Sequence, residues 1–271
     1  MAISCMDSTK RLIIRLENLQ FSALRYRLVV NLEKSLAVDA SLVFLESVDS
    51  TNLELARLMT TSAKPDLFAV VAAEQTAGRG RLERSWVSEP GTSISLSVLL
   101  EPTKNVEQGL VPLFVGSCVA RALSTITGKD AGVKWPNDVL IDGKKICGVL
   151  SELTDQGVIA GIGINLERQQ GAPDTACAVG DFASADFDGA LSMVLAELRA
   201  GWSDWLSEGN DFALGLIRST SVTVGRNVRA IMPSGEEVVG TAVSIESDGR
   251  LLIEGSETYL VSAADVWHLR N

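Results

Sequence analysis

Three short segments combine residue types suited to handling anions. The first is Glu74-Gln75-Thr76-Ala77-Gly78-Arg79-Gly80-Arg81, continuing through Arg84 to Trp86. Glycine has no side chain to keep an anion off the backbone N–H groups. Guanidinium groups match phosphate and carboxylate oxygens in bidentate geometry. Gly-Arg-Gly alone is a weak signal that also fits a solvated turn, and no Walker sequence follows it. The second is Lys134-Trp135-Pro136-Asn137-Asp138. It sets a lysine at a strand end, a proline that stiffens the turn, and two residues that hydrogen-bond locally. An exposed lysine on a turn is the plain alternative. The third is Gly161-Ile162-Gly163-Ile164-Asn165. Its glycines let a ligand lie against a strand, or mark a bulge. No third glycine opens a following helix, so it is not a dinucleotide fingerprint.

The elements that must position these segments follow from periodicity. Residues 42–45 read as a strand. Ser50-Thr51-Asn52 follows, with Thr51 and Glu54 as a capping box for a helix over 52–61. Residues 68–73 form a buried-strand pattern and 75–91 a loop. Ile94, Leu96, Val98 and Leu100 alternate with small or polar residues, which predicts a half-buried strand. Residues 113–126 have helical spacing. Residues 133–135 and 139–141 are short strands, Asp142-Gly143 signals a hairpin, and 145–153 form the return strand. Residues 158–165 are another strand, and 190–206 an amphipathic helix bearing Leu191, Val194, Leu195, Leu198, Trp202 and Trp205. The texture changes near Arg218. Short strands follow at 222–224, 227–232, 237–245, 251–253, 259–261 and 266–269, with turns at Pro233-Ser234-Gly235 and Asp248-Gly249. That pattern predicts a small SH3-like β-barrel. The division is 1–40, an N-terminal packing segment; 41–218, the main domain; and 219–271, the barrel.

Composition excludes several classes. The 271 residues are 46% hydrophobic, enough for a sizeable core. Net charge is −10, with a pI near 4.7, and gripping nucleic acid needs clustered Lys and Arg. The first 40 residues are mildly basic but shorter than the roughly 60 that a winged-helix DNA reader needs. No apolar run approaches the length that spans a bilayer, and Arg11, Arg15, Glu17, Arg25 and Arg27 interrupt the N-terminus, which is unlike a secretory signal. Cys5, Cys118, Cys147 and Cys177 form no C-x-x-C pair and His268 is the sole histidine, which argues against a zinc site. Sparse cysteines fit a reducing compartment. The expectation is a cytoplasmic protein with no membrane or nucleic-acid partner.

In this order and spacing the segments resemble biotin–protein ligases, over residues 41–271. The most specific pair is Ala77-Gly78-Arg79-Gly80-Arg81 with Lys134-Trp135-Pro136-Asn137-Asp138. Ser50-Thr51-Asn52, Lys144-Lys145-Ile146-Cys147-Gly148, the glycine strand at 161–165 and the ending Ala264-Asp265-Val266-Trp267-His268-Leu269-Arg270 are similar to the family's in order. The resemblance implies an α+β fold with a mixed β-sheet and flanking helices, like class II aminoacyl-tRNA synthetases, followed by the small barrel. It also implies a two-step reaction. Biotin's carboxylate attacks the α-phosphorus of ATP to give biotinyl-5′-AMP and pyrophosphate. The ε-amine of a lysine on a biotin carboxyl carrier domain then displaces AMP. No enzyme nucleophile is required, in keeping with a chain that has no Ser-His or Cys-His signature. Positioning and charge stabilisation are the expected means of catalysis.

Roles implied by the resemblance fall on matching positions. Lys134 and Arg81 are the catalytic pair. Ser50, Thr51, Asn52, Gln75, Gly78, Arg79, Gly80, Arg81, Lys134, Gly148, Gly161 and Gly163 would hold biotin, with Gly161 and Gly163 letting its ring lie flat on the strand. Arg79, Arg81, Arg84, Trp86, Lys134, Asn137, Lys145, Asn165 and Arg270 would hold ATP or the adenylate, and Trp86 would help close the loop. Mg²⁺ would accompany ATP through phosphate oxygens and water, with no protein ligand nameable. His268 reads as structural. The assembly is a monomer or homodimer.

One departure stands out: Arg81-Leu82-Glu83-Arg84 carries an acid where many relatives have a more basic or glycine-containing stretch. Competing readings are a lipoate–protein ligase, a biotin-responsive DNA-binding repressor and a non-catalytic adenylate-binding module. The first would lack the paired loop and lysine motifs. The acidic charge and short N-terminus oppose the second, and intact Lys134 and Arg81 oppose the third. Replacing Arg81 with Gly is expected to loosen the loop, so that biotinyl-AMP escapes and biotinylates bystander proteins. Strict acceptor specificity in that variant, read by blotting total biotinylated protein, would remove Arg81 from the lid.

Overall fold

The computed structural model describes residues 31–81, 84–102, 106–184 and 186–269. Expectations placed on 1–30, on Leu82 and Glu83, and on Arg270 lie outside the described residues. Seven strands form one mixed sheet: β1 (Val43–Leu45), β2 (Ala69–Ala72), β3 (Ser93–Leu100), β4 (Ala131–Lys134), β5 (Asp138–Ile141), β6 (Lys144–Thr154) and β7 (Gly157–Asn165), in the order β1-β2-β3-β7-β6-β5-β4. Only β1 and β2 run parallel; the remaining neighbours are antiparallel.

β3 is buried at all eight positions, so the expectation of a half-buried strand is corrected. The physical reason is that both faces of the sheet are covered. Ile94, Leu96, Val98 and Leu100 join the main core with α3 (Val111–Thr127). Leu99 packs on the opposite face with Leu55 and Met59 of α2 (Thr51–Thr61). Ser93, Ser95 and Ser97 are buried on that second face, where hydrogen bonds satisfy them. The Asp142-Gly143 hairpin is as expected, with positive φ at both residues.

α3 and the 3₁₀ turn before it, Gln108–Leu110, form a 20-residue apolar stretch. By length and composition this stretch could cross a membrane, which corrects the expectation that no run approaches that length. Here it is a core helix. Pro112 sits in its first turn and Gly128 ends it at φ 65°. α4 (Phe187–Glu208) and α5 (Asn210–Thr220) pack on it, and Phe114 meets Trp202 and Trp205 at centroid distances of 6.3 and 4.6 Å. The pattern reading did not anticipate α5, which runs across residue 218.

The C-terminal part is a five-stranded antiparallel sheet: β8 (Asn227–Ile231), β9 (Glu237–Ile245), β10 (Leu251–Glu254), β11 (Thr258–Val261) and β12 (Asp265–His268), ordered β11-β10-β9-β8-β12. The strand expected at 222–224 does not form. That segment lies along the end of β4 instead, with Val222 N–H donating to Val133 O at 3.0 Å. The expected capping box also fails. Thr51 is the first helical residue, its hydroxyl is taken by Gln75 at 3.1 Å, and Glu54 pairs with Arg57.

α1 (Glu33–Val38) lies against α4. The Asp188 carboxylate, 5% exposed, accepts from Lys34 N (2.8 Å), Ser35 N (2.9 Å) and Ser35 Oγ (2.6 Å). A carboxylate supplied by another helix thus satisfies the first-turn amides of α1. Asp188→Ala is expected to lower unfolding free energy by about 2–3 kcal/mol, because buried donors lose a charged acceptor. An unchanged urea midpoint would sever α1 from the stability of the domain.

Candidate functional site

The second face of the sheet is paved with small residues. Register places Ser97, Gly161 and Leu150 in one row and Ser95, Gly163 and Gly148 in the next. Two side chains from outside the sheet lie directly on this floor. A Cβ at Gly161 would run into Asn52, and one at Gly163 into the indole of Trp86. The strand is glycine-rich there because these groups approach it closely.

α2 delivers the polar wall. Ser50, Thr51 and Asn52 are buried at its N-terminus. Thr51 N and Oγ1 both donate to Gln75 Oε1, at 2.8 and 3.1 Å. The Ser97 hydroxyl donates to Asn52 Oδ1 at 2.6 Å, and Asn52 Nδ2 donates to Glu152 Oε2 at 2.6 Å. The orientation of the Asn52 amide is therefore fixed at both ends.

The glycine–arginine loop is a pinched hairpin. Trp86 N donates to Gly78 O at 2.9 Å and Gly80 N to Arg84 O at 2.7 Å. A Cβ at Gly78 would strike Trp86 O, so this glycine is needed for the pinch itself. Arg79 Nη2 reaches both oxygens of Glu152, at 2.7 and 2.8 Å. Arg84 pairs with Asp265 on β12. Arg81 lies nearest Asn137, with Nη1 to Oδ1 at 3.3 Å.

Lys134 ends β4, opposite Asp138 in register. Asp138 is engaged instead by Lys145, at 2.6 Å. Asn137 locks the turn, donating from Nδ2 to Val149 O at 2.8 Å and from its backbone N to Lys134 O at 3.1 Å. The peptide between Trp135 and Pro136 is cis. Among the described residues, Lys134 and Arg81 make no ion pair. Burial pushes the pKa of both down, and nearby carboxylates that do not touch them oppose the shift.

The C-terminal sheet closes the site. The Trp267 ring lies 5.9 Å from Lys134 Nζ, within cation–π range. Trp135 is gripped twice: its N–H donates to Thr223 Oγ1 at 2.9 Å and its Nε1 to Gly249 O at 3.0 Å. Thr223 Oγ1 lies 3.1 Å from His268 Nε2. Burial and the charges of Lys134 and Arg226 depress the His268 pKa to about 4.

These groups surround a cavity of about 650 Å³. It is lined by Ser50, Thr51, Asn52, Gln75, Arg79, Gly80, Arg81, Arg84, Trp86, Lys134, Asn137, Lys145, Gly148, Gly161 and Gly163, and by β12. A neighbouring cavity of about 800 Å³ lies against the same loop and takes in Gly78, Gly109, Pro112 and Gly249. Of the described residues assigned to biotin, nucleotide or catalysis, Asn165 alone lines neither. Its amide donates to Cys177 O at 3.0 Å, within the fold. The faces of Gly161 and Gly163, expected to lie open for a ring, carry Asn52 and Trp86. Sequence reasoning missed Ser97, Glu152, Asp265, Thr223 and Trp267. The Ser-Leu-Ser alternation of β3 was the available signal for Ser97. Asp265 and Trp267 lie in the family-like ending at 264–270 but were given no role there; nothing local marked Glu152 or Thr223, whose roles arise from pairings across the fold. No cluster of three potential metal-ligating side chains occurs among the described residues, and Asp138 and Asp265 are each held by a cation.

Residues 44–168 match the biotin/lipoate A/B protein ligase family, and residues 223–268 match the biotin protein ligase C-terminal domain. A biotin–[acetyl-CoA-carboxylase] ligase of Mycobacterium tuberculosis is 34% identical over 230 residues, covering 82% of this chain and 86% of that protein. The bifunctional ligase/repressor BirA of Bacillus subtilis is 30% identical over 260 residues, covering 91% and 78%. Among solved structures, a biotin protein ligase from Aquifex aeolicus in complex with biotin and ATP superposes with a TM-score of 0.70 at 30% identity, covering 85% of this chain and 99% of that one.

The His268 pKa has a consequence for stability. In the folded protein it is about 4, against 6.5 for a free imidazole. Between those values the unfolded chain binds a proton that the folded one does not, so the contribution is whole above pH 6.5 and is lost as pH falls towards 4. The stability difference between wild type and His268→Gln is expected to shrink by on the order of 1–2 kcal/mol across that window, less than the full shift implies because the ring is partly exposed. A difference that stays flat from pH 7 to pH 4 in urea titrations would mean the ring is charged in the folded state.

Proposed function

Because the chain belongs to the biotin protein ligase family and acts as an ATP-dependent ligase that biotinylates protein through biotinyl-5′-AMP, we propose how its own residues divide that work. The supporting observation is the pair of unpaired, partly desolvated cations, Arg81 and Lys134, facing one cavity floored by small residues. Adenylation must bring a carboxylate against a polyphosphate. Two anions approach only where fixed positive charge offsets their repulsion, and that charge acts most strongly where water is excluded.

In our reading Lys134 lies beside the carboxylate and the α-phosphate, and Arg81 covers them from the loop. As the carboxylate oxygen bonds to phosphorus, the bond to the β-phosphate oxygen breaks and pyrophosphate leaves. Both cations face the charge that moves. Ser50, Thr51, Asn52 and Gln75 orient the biotin ring. Gly148, Gly161 and Gly163 keep the floor low, and Trp86 serves as an apolar wall. Arg79, Arg84, Lys145 and Asn137 serve the nucleotide side. In the second step the acceptor ε-amine attacks the carbonyl carbon, AMP departs and the amine loses a proton. Mg²⁺ would accompany ATP through phosphate oxygens and water.

The finer assignments are also ours. The seven-stranded layer is read as class II aminoacyl-tRNA synthetase-like, and the C-terminal sheet as an SH3-like barrel, on its short strands and tight glycine turns. The acceptor is a biotin carboxyl carrier domain. The chain is cytoplasmic, a monomer or homodimer, and binds no nucleic acid, in keeping with its −10 charge.

Biotin-dependent ATP–pyrophosphate exchange tests the assignment. Lys134→Ala, folded by circular dichroism, is expected to lose at least about a hundredfold in kcat/KM, the usual scale for one donor to a developing charge. Exchange that survives in this variant would move the role elsewhere. Exchange supported by lipoate would favour the sister activity.

A further inference from the structure

Glu152 belongs to no motif, yet it touches both halves of the site. It lies on β6, beside the floor, and its carboxylate receives two partners at once. Asn52 Nδ2 donates to Oε2 at 2.6 Å from the buried wall. Arg79 Nη2 donates to Oε1 at 2.7 Å and to Oε2 at 2.8 Å from the loop. Asn52 is 4% exposed, is fixed at its other end by Ser97, and rests on Gly161. Arg79 is the first arginine of the pinched hairpin, directly after Gly78. One carboxylate therefore joins the group that reads the ring pocket to the group that begins the cover.

We propose that Glu152 is a positioning residue that latches the glycine–arginine loop to Asn52, so that retention of the acyl-adenylate depends on the Arg79–Glu152 ion pair. This rests on the reaction assigned above. The two contacts differ in kind. Asn52 needs only an acceptor oxygen, which a glutamine would also supply. Arg79 needs the negative charge. The pair is partly exposed, at 42% for Arg79 and 35% for Glu152, so dissolved salt screens it. The Asn52 contact is more sheltered and responds little. Charge and hydrogen bond can therefore be separated by substitution and again by ionic strength.

The experiment uses the full chain as wild type, Glu152→Gln and Glu152→Ala, each checked for an unchanged thermal midpoint. Biotin KM is read from ATP–pyrophosphate exchange. Escape is read by forming biotinyl-AMP on the enzyme, removing free substrates by rapid filtration and following its release. Glu152→Gln is expected to speed release about fivefold, the upper range for a partly exposed pair, with no more than a twofold rise in biotin KM. Glu152→Ala is expected to raise release similarly and biotin KM about tenfold, because the buried Asn52 amide also loses the nearer of its two acceptors and keeps only Leu150 O at 3.3 Å. Raising salt from low to near-molar should bring wild-type release up towards that of Glu152→Gln and leave the variant unmoved. Release unchanged in folded Glu152→Gln, or equal salt dependence in both proteins, overturns the latch while leaving the ligase assignment standing. A wild type without biotin-dependent exchange overturns both.

Discussion

Two positive charges held partly out of water, with no contacting carboxylate among the described residues, are the constraint around which this molecule is arranged. Five cations among the described residues ring the cavity. Three are answered in place: Arg79 by Glu152, Arg84 by Asp265 and Lys145 by Asp138. Arg81 and Lys134 are not, and burial works against their charge. Leaving a desolvated cation unanswered costs stability. A fold sustains such a cost where an anion is meant to arrive, and it must then hold the charges still by other means. Lys134 is kept in place through its neighbours. Asn137 ties the turn to β6, Thr223 and Gly249 grip Trp135 from the C-terminal side, and Trp267 offers a π face in place of a counter-ion.

The small-residue floor is the complement of that charge arrangement. A doubly covered sheet normally fills both faces with large apolar side chains. Here one face does so with α3, while the other interrupts its apolar packing with Ser95, Ser97, Gly148, Gly161 and Gly163. The core on the α3 side carries most of the buried apolar volume, including Phe114, Trp202 and Trp205. The second face is thereby free to give up packing for a cavity. Asn52 and Trp86 then use the vacated height, which explains why substitution-intolerant glycines sit mid-strand, where they lower strand propensity.

How much of this was legible in the sequence depended on distance along the chain. Strands and helices with a clear period, such as β3, β7, α3 and α4, could be read locally, as could the Asp142-Gly143 turn. Site segments marked by unusual neighbours, Gly78 to Arg81 and Lys134 to Asp138, were also visible, and the structure brings them to one cavity. Features decided by a remote partner were not. Thr51 looked like half of a capping box until Gln75 claimed its hydroxyl. Residues 222–224 had strand composition but lie along β4 as a connector. β3 reads as half-buried until α2 covers its serine face. Glu152 is an unremarkable acid on an alternating strand, and only the approach of Arg79 and Asn52 gives it a task. The apolar stretch at Gln108–Thr127 shows the converse. Its hydropathy is that of a membrane span, and only the packing of α4 and α5 shows that it is a core helix.

The chemistry explains why so few side chains of a conventionally catalytic kind are present. The attacking oxygen, the leaving pyrophosphate and the later amine all come from substrates, so the protein needs no nucleophile of its own. It must supply fixed charge, orientation and exclusion of water from a mixed anhydride that water would hydrolyse. The first demand favours arginine and lysine, the second a rigid wall such as Asn52 clamped between Ser97 and Glu152, and the third a cover that can open. A cover made of large apolar residues would bind the sheet too well to release product. One made of glycines for close approach and arginines for charge-dependent closure responds to what lies beneath it. The hairpin from Gly78 to Trp86 has that composition, and its described ion pairs, to Glu152 on the sheet and to Asp265 on β12, run to both sides of the cavity it covers.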